Sequence, residues 1–144
     1  MKNIIIIGNS AAGIAAVEAI RNKDKDSKII IVSDEDYPAY CRYKLLDYLS
    51  GDMKEELLVY RAKEFYAENN IDLILGKKVM KVEPQKNRII LEDNQKFEYE
   101  SLLITTGTSP KFPDVSGIHK QGVFGLGSLK DVKDILNLLP ITNT

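Results

Sequence analysis

The chain has 144 residues, of which 44% are hydrophobic and 28% charged, and its formal net charge is −1. This length can bury the core of one domain, and the near-neutral charge gives no reason to expect nucleic acid or an anionic membrane as a partner. One cysteine and one histidine exclude an internal disulfide and a zinc site of the usual kind, so we predict no metal. Without a membrane-length apolar run or a signal-peptide layout at the start, we expect a cytoplasmic protein.

The first predicted element is a strand that runs into a glycine turn. Residues 3–7 show no polar alternation, which is typical of a central parallel strand covered on both faces. Gly8, Ser10 and Gly13 follow with the spacing of the dinucleotide-binding fingerprint, except that Ser10 occupies the middle glycine position. Gly8 suits a tight turn, and Gly13 suits a close approach of the next helix to the sheet. That helix would direct its unpaired amides and partial positive charge at a pyrophosphate.

A helix of small residues and a second strand are predicted next. We expect the alanines, the isoleucines and Val17 within residues 11–20 to form a wide face of small side chains against the sheet. Residues 28–32 predict the second strand of a βαβ unit, with Asp34 and Glu35 following it. A carboxylate about twenty residues beyond the last glycine accepts hydrogen bonds from an adenosine ribose, and the sequence does not decide which of the two acids does so. The alternative is a doubly wound domain that binds no nucleotide.

The later elements change from helices to short strands and back. Turn residues such as Pro84 separate the strands, which predict an antiparallel β-meander over residues 72–100. A buried strand at 102–104 ends at Thr105-Thr106-Gly107. In chain order we predict helices at 42–49 and 61–69, strands at 72–75, 79–82, 88–91, 96–99 and 102–104, and a last helix at 128–139.

This order of elements resembles the flavin-binding part of the two-dinucleotide-binding-domain flavoproteins, the pyridine nucleotide–disulfide oxidoreductase superfamily. The glycine turn, the antiparallel insertion and the Thr-Thr-Gly exit carry the resemblance. Ser33-Asp34-Glu35, Tyr40-Cys41-Arg42 and Tyr48-Leu49-Ser50-Gly51 are most similar to the rubredoxin reductase and nitrite reductase flavoprotein branch. The implied fold is α/β, a Rossmann-like parallel sheet with an antiparallel β-meander insertion.

The resemblance implies which residues hold FAD. The pyrophosphate would lie against the glycine turn, the ribose at one of the two acids, and the phosphates or the flavin near Arg42, since a guanidinium suits an anionic ligand. Val79 would present its backbone to the adenine, and the Thr-Gly exit matches the Ala-Thr-Gly turn of the family, with Thr105 in the alanine position. The implied cofactor-binding residues are Gly8, Ser10, Ala11, Ala12, Gly13, Asp34, Glu35, Arg42, Val79, Thr106 and Gly107.

Several of these residues also fit a simpler interpretation. Arg42 suits a solvated position at a helix start, Val79 suits the apolar core, and residues 105–107 suit any strand exit. Many relatives carry a redox-active cysteine near this helix, but that position falls on Tyr43 here, and Cys41 is two residues earlier. We therefore interpret Cys41 as a packing or cofactor-lining residue and predict no catalytic residue, so that the chemistry belongs to the flavin alone.

The resemblance also implies that the chain is part of a longer protein. In relatives a second glycine-turn βαβ unit binds NAD(P)H, and a later Gly-Asp segment completes the flavin site, but the 144 residues contain neither. We expect residues 1–110 to be the first segment of the FAD-binding domain and 111–144 to be a connector, in which 122–124 resemble a connector strand. The chain would be a fragment, a truncated form or one half of a split gene. Apolar surface near Ile104 would then favour a partner or a homo-oligomer.

The implied function is the FAD-binding N-terminal segment of an NAD(P)H-dependent oxidoreductase. A hydride would pass from NAD(P)H to FAD, and electrons would leave to a redox protein such as rubredoxin, to an iron–sulfur protein or to a small acceptor. The isolated chain would be inactive because it has no hydride-donor site. The alternative is a stand-alone module that binds ADP or a dinucleotide without catalysis.

Overall fold

The computed structural model describes residues 3–139, which form two compact units. The first unit combines the chain up to Tyr40 with Tyr60–Gly107, and the second combines Cys41–Val59 with the chain from Thr108 onward. The strands are β1 (Asn3–Ile7), β2 (Lys28–Val32), β3 (Ile71–Ile74), β4 (Val79–Glu83), β5 (Arg88–Leu91), β6 (Lys96–Glu98) and β7 (Ser101–Ile104). The α-helices are α1 (Ala11–Lys23), α2 (Leu45–Leu49), α3 (Lys63–Glu68) and α4 (Leu129–Leu138).

A parallel sheet of four strands forms the centre of the first unit. Its strand order is β3-β2-β1-β7, and each neighbouring pair is parallel. Both faces of β1 are covered: Ile6 packs in a cluster with Ile14 of α1, and Ile5 packs in a second cluster with Ile89 of β5. This two-sided burial confirms the interpretation of the isoleucine run and explains why it shows no polar alternation.

The third strand corrects the predicted start of the insertion. The sequence assigned residues 72–75 to the antiparallel meander, but Ile71 lies beside Ile29 and Ile74 beside Val32 in parallel register. The antiparallel sheet of the described residues has the order β4-β5-β6 and begins at Val79. The physical reason lies in the connection, because α3 precedes β3 and supplies the crossover that parallel pairing requires.

The face that α1 packs against the sheet also differs from the prediction. Its buried residues are Gly13, Ile14, Val17 and Arg21. Most of the small residues, which we expected to face the sheet, are exposed, namely the alanines at positions 11, 12, 15 and 19. The branched side chains take the buried positions because they remove more apolar area from water than alanine does.

Arg21 is a buried cation that joins α1 to the end of α3. Its side chain is 6% exposed. Nε donates to the carbonyl oxygen of Asn69 at 2.8 Å, and the two terminal nitrogens donate to the carbonyl oxygens of Asp24 and Asn70 at 3.1 and 3.4 Å. Asn69 is the C-cap of α3, so the guanidinium binds carbonyls that the helix leaves unpaired. No local pattern in the sequence predicts this role for the arginine.

We expect Arg21→Met to lower the free energy of unfolding by about 2–3 kcal/mol, because buried hydrogen bonds to a charged group contribute about 1.5–3 kcal/mol. Methionine keeps the apolar stem but leaves the two asparagine carbonyls without a donor. Denaturant unfolding followed by circular dichroism measures the loss. Lys23→Met, at an exposed position of the same helix, is the control and should change stability by less than about 0.5 kcal/mol. Equal losses for the two variants would contradict the capping role.

The second unit contains α2, α4 and two 3-10 turns, Arg42–Lys44 and Glu55–Leu58. The predicted helix at 42–49 is thus α-helical only from Leu45. The last predicted helix is confirmed, and a capping box of Ser128 and Asp131 begins it. The predicted connector strand at 122–124 is wrong, because these residues form a turn and irregular chain, with a φ of +90° at Gly122 that a strand does not adopt. Residues 140–144, assigned to the connector, lie outside the described residues.

The strand β7 is an edge of the parallel sheet within residues 3–139, since it pairs there only with β1. Leu103 is 39% exposed and Ile104 is 59% exposed. The strand predicted at 102–104 is therefore present but not buried, because no described strand or helix covers this edge, and the expectation of apolar surface near Ile104 is confirmed. An edge strand of this kind combines unpaired backbone groups with apolar side chains, and both are suited to further pairing.

Candidate functional site

The carboxyl ends of three parallel strands meet at one edge of the sheet. Ile7 of β1 is in register with Val32 of β2 and with Ile104 of β7. The segments that follow these strands therefore begin side by side, and they are residues 8–13, 33–35 and 105–107. Most of the predicted cofactor-binding residues lie in these segments. Such an edge is where open α/β sheets bind their ligands.

Two positions in the first segment are glycine for steric reasons. Gly8 has a φ of +114°, and a Cβ there would lie 2.3 Å from the carbonyl oxygen of Thr105. A Cβ on Gly13 would lie 2.3 Å from the carbonyl oxygen of Gly8. Gly8 directly follows β1, and its amide donates to the carbonyl oxygen of Val32, so Gly13 lets the helix approach the end of the sheet closely, as predicted. The turn thus packs backbone against backbone.

The N terminus of α1 presents backbone donors at this edge. The helix has 13 residues with no acidic residue in its first turn, and its N-cap, Ser10, makes no side-chain capping bond. None of the described residues accepts a hydrogen bond from the amides of Ala11, Ala12 or Gly13. Ser10 has an extended φ of −132°, so its position does not need glycine. Unpaired amides at a helix N terminus favour an anion such as a diphosphate.

Thr105 supports the glycine turn from the neighbouring strand. Its amide donates to the carbonyl oxygen of Ile7 at 2.7 Å, and its Oγ1 donates to the carbonyl oxygens of Ile7 at 2.9 Å and Gly8 at 3.3 Å. In the sequence, Thr105 is notable only because it stands where the family has an alanine. Its hydroxyl contacts give the threonine a physical role, which is to hold the glycine turn. Thr106 and Gly107 follow in exposed chain, with a φ of +68° at Gly107.

The two acids after β2 have different surroundings. Glu35 is half-buried, and its Oε1 accepts a hydrogen bond from the Tyr40 hydroxyl at 3.2 Å. Its carbonyl oxygen accepts from the amide of Gly76 at 3.1 Å. Asp34 is exposed. The structure therefore separates a carboxylate held by a neighbouring side chain from a solvated one, which the sequence alone left open.

Val79, Arg42 and Cys41 lie outside the three segments. Val79 begins β4, pairs with Leu91, and packs partly buried against the core cluster that contains Ile5. β4 is an edge strand of the described meander. Its backbone therefore pairs with β5 on one side only. Arg42 belongs to the second unit, where its Nη1 donates to the carbonyl oxygen of Gly127 at 2.6 Å. Cys41, in the same unit, is a partly buried free thiol.

The sheet edge combines helix amides and hydroxyls, which can donate hydrogen bonds, with one held carboxylate, which accepts them. Together these groups suit the phosphates and the ribose hydroxyls of an adenine nucleotide. Within residues 3–139 no three His, Cys, Asp or Glu side chains are grouped so that they could bind a metal ion. None of the helices in that range has both the length and the apolarity needed to cross a bilayer.

A parallel sheet whose first strand turns through glycine into an amide-presenting helix defines an α/β protein of the dinucleotide-binding class. Residues 2–140 match the family model of the pyridine nucleotide-disulphide oxidoreductases. The chain belongs to this family, whose members are FAD-binding enzymes that use NAD(P)H. This result confirms the family and the fold class that were predicted from the sequence.

Individual relatives cover nearly the whole chain. It is 31% identical over 136 residues to the nitrite reductase (NAD(P)H) of Bacillus subtilis, which covers 94% of this chain and 17% of that protein. It is 26% identical over 133 residues to the rubredoxin-NAD(+) reductase of Pseudomonas putida, covering 92% of this chain and 34% of that one. The crystal structure of NADH:rubredoxin oxidoreductase from Clostridium acetobutylicum has a TM-score of 0.85 at 25% identity, covering 97% of this chain and 36% of that one. The chain thus spans 17–36% of these relatives' lengths.

We expect Gly13→Ala to lower the free energy of unfolding by about 1–3 kcal/mol, because its Cβ would overlap the Gly8 carbonyl and force the packed turn to shift. Helix propensity alone predicts the opposite sign, a gain of about 0.5–1 kcal/mol. Denaturant unfolding measures the sign directly. Asn22→Ala, at an exposed position of the same helix, is the control and should be neutral or stabilising. A stabilised Gly13→Ala variant would show that the turn is less tightly packed than described.

Proposed function

We propose that the chain is the FAD-binding N-terminal segment of an NAD(P)H-dependent flavoprotein oxidoreductase. The observation that carries the proposal is the first turn, where the Cβ positions of Gly8 and Gly13 are closed by backbone while the amides at the start of α1 have no acceptor among the described residues. A diphosphate fits these surroundings, because it would accept from the amides and meet no acidic side chain in the first helical turn.

In the proposed complex the residues of the sheet edge bind and orient the adenosine diphosphate end of FAD. The amides of Ala11, Ala12 and Gly13 donate to phosphate oxygens, with Thr105 holding the turn behind them. Glu35, and not Asp34, accepts from the ribose hydroxyls, because a carboxylate already held by Tyr40 loses less conformational freedom on binding. FAD, when bound, supplies the redox chemistry by accepting a hydride and passing electrons onward.

The other predicted site residues keep proposed roles with different support. Thr106 and Gly107 are assigned contacts with the cofactor because they begin beside the glycine turn. Val79 is assigned a backbone contact with the adenine, supported by the unused edge of β4. Arg42 is assigned to the phosphates or the flavin because its side chain is a cation on an exposed residue. Ser10 is assigned a contact with the diphosphate as the N-cap that makes no side-chain capping bond.

The activity of the complete protein is a further part of the proposal. We propose that NAD(P)H binds in a portion beyond residues 111–144, supported by the 17–36% of relatives' lengths that the chain spans. The acceptor would be a redox protein such as rubredoxin, an iron–sulfur protein or a small molecule, supported by relatives named for rubredoxin and nitrite. On this proposal the chain alone does not oxidise NAD(P)H. A cytoplasmic location is supported by the single cysteine.

We expect the 144-residue chain, purified with FAD added, to be yellow with flavin absorbance at about 450 nm. Calorimetric titration of the unloaded chain should detect binding of both FAD and ADP, and the loaded chain should not turn over NADH. A colourless protein that binds ADP but not FAD would instead favour the stand-alone nucleotide-binding module. A chain that binds neither ligand would overturn both functions.

We expect Glu35→Gln to weaken ADP binding by about tenfold or more, because a hydrogen bond to a charged group contributes about 1.5–3 kcal/mol and each 1.4 kcal/mol is a factor of ten. The glutamine keeps the shape of the side chain and removes its charge. Asp34→Asn makes the same chemical change on the exposed neighbour and should alter the affinity by less than about twofold. Calorimetric titration compares the two variants. Equal effects would leave the ribose contact unassigned to Glu35, and a reversed order would assign it to Asp34.

A further inference from the structure

A buried hydroxyl on α3 contacts the glycine turn. Tyr66 is 4% exposed and lies in the core cluster between α1 and the sheet. Its hydroxyl donates to Oδ1 of Asn9 at 2.9 Å. Asn9, which stands between Gly8 and Ser10, is itself 8% exposed. A side chain far along the sequence therefore reaches the backbone turn that begins α1.

The same hydroxyl also accepts a hydrogen bond from a second segment. The amide of Ala39 donates to the Tyr66 oxygen at 3.0 Å, and the side-chain amide of Asn9 lies 3.5 Å from the carbonyl oxygen of Tyr37, to which it donates. The next residue after Ala39 is Tyr40, whose hydroxyl holds Glu35. Tyr66 thus links the turn that presents the helix amides to the loop that positions the carboxylate.

A hydroxyl that satisfies one buried donor and one buried acceptor fixes both partners, because separating either one leaves a polar group unpaired in the core. The two partners here belong to the two halves of the proposed nucleotide site. Asn9 belongs to the diphosphate half, which is the glycine turn, and Ala39 belongs to the ribose half, which is the loop that positions Glu35. A ligand that spans both halves binds more tightly when their separation is already set, since less order must be imposed on binding.

We propose that Tyr66 and Asn9 are positioning residues for a nucleoside diphosphate. Their hydrogen bonds set the glycine turn relative to the loop at residues 37–40, so that the amides of α1 and the carboxylate of Glu35 engage one ligand together. This inference rests on the proposed function. Tyr66 is a positioning residue and not a ligand contact, because its hydroxyl is occupied by Asn9 and Ala39.

The test compares Tyr66→Phe with Tyr60→Phe in the full 144-residue chain. Both changes remove one hydroxyl from a tyrosine that packs on the same core cluster, but the hydroxyl of Tyr60 has no hydrogen-bond partner among the described residues. The first measurement is amide hydrogen exchange without ligand at Gly8 and Ile14, whose amides flank the turn and donate to the carbonyl oxygens of Val32 and Ser10. The second is the affinity for ADP, by calorimetry, and for adenosine, by NMR titration, because only ADP spans both halves of the site.

We expect Tyr66→Phe to speed exchange at Gly8 and Ile14 by about tenfold and to weaken ADP binding by about tenfold, while the affinity for adenosine changes by less than about threefold. Tyr60→Phe should change none of these quantities. Unchanged exchange, or equal losses for ADP and adenosine, would overturn the positioning role, because a merely structural hydroxyl weakens both ligands alike.

Two further outcomes are decided in the same experiment. Should Tyr66→Phe fail to fold, Asn9→Ala removes the acceptor of the same hydrogen bond. The same changes in exchange and affinity are expected of that variant. A wild-type chain that binds neither ADP nor adenosine would overturn the proposed function. The exchange rates alone would then decide the link, with faster exchange in Tyr66→Phe supporting it and unchanged exchange overturning it.

Discussion

The close backbone packing of the first turn is the constraint on which the rest of the site depends. A Cβ at Gly8 or Gly13 would lie 2.3 Å from the carbonyl oxygen of Thr105 or Gly8, so any residue other than glycine at either place strains the passage from β1 into α1. Because the turn is this compact, the first amides of α1 stand directly at the end of β1. The helix then supplies donors and a favourable dipole at one point of the sheet edge.

The two-sided burial of the sheet explains why a ligand would bind at that edge. Residues of α1 cover one face of β1 and β2, and residues of the meander cover the other. The meander therefore completes the core, because without Ile89 and Leu91 the second face of the isoleucine strands would lie open to water. With both faces covered, a ligand can reach the central strands only at their ends. The carboxyl ends carry the turn, the held acid and the Thr-Gly exit.

The family of the chain and the share of its relatives' lengths that it spans indicate which part of the proposed enzyme these residues form. The chain belongs to the pyridine nucleotide-disulphide oxidoreductases over residues 2–140, and its first unit brings together the groups of the proposed adenosine diphosphate site. The nicotinamide and the electron acceptor belong to the proposed complete protein. The exposed Leu103 and Ile104 on the edge strand β7 mark where the parallel sheet can take a further strand.

The strand, turn, helix and strand of residues 3–32 could be predicted from the amino-acid pattern, because apolar runs and glycine spacing are local signals. The prediction was wrong about the burial of the alanines in α1 and of the strand at 102–104, about the sheet that contains residues 72–75 and about the strand at 122–124. Three contacts became visible only in the folded chain: Tyr40 holds Glu35, Arg21 caps α3, and Tyr66 donates to Asn9. The Arg21 and Tyr66 contacts join residues 48 and 57 positions apart, and no local pattern encodes a partner that the fold alone brings within hydrogen-bond distance.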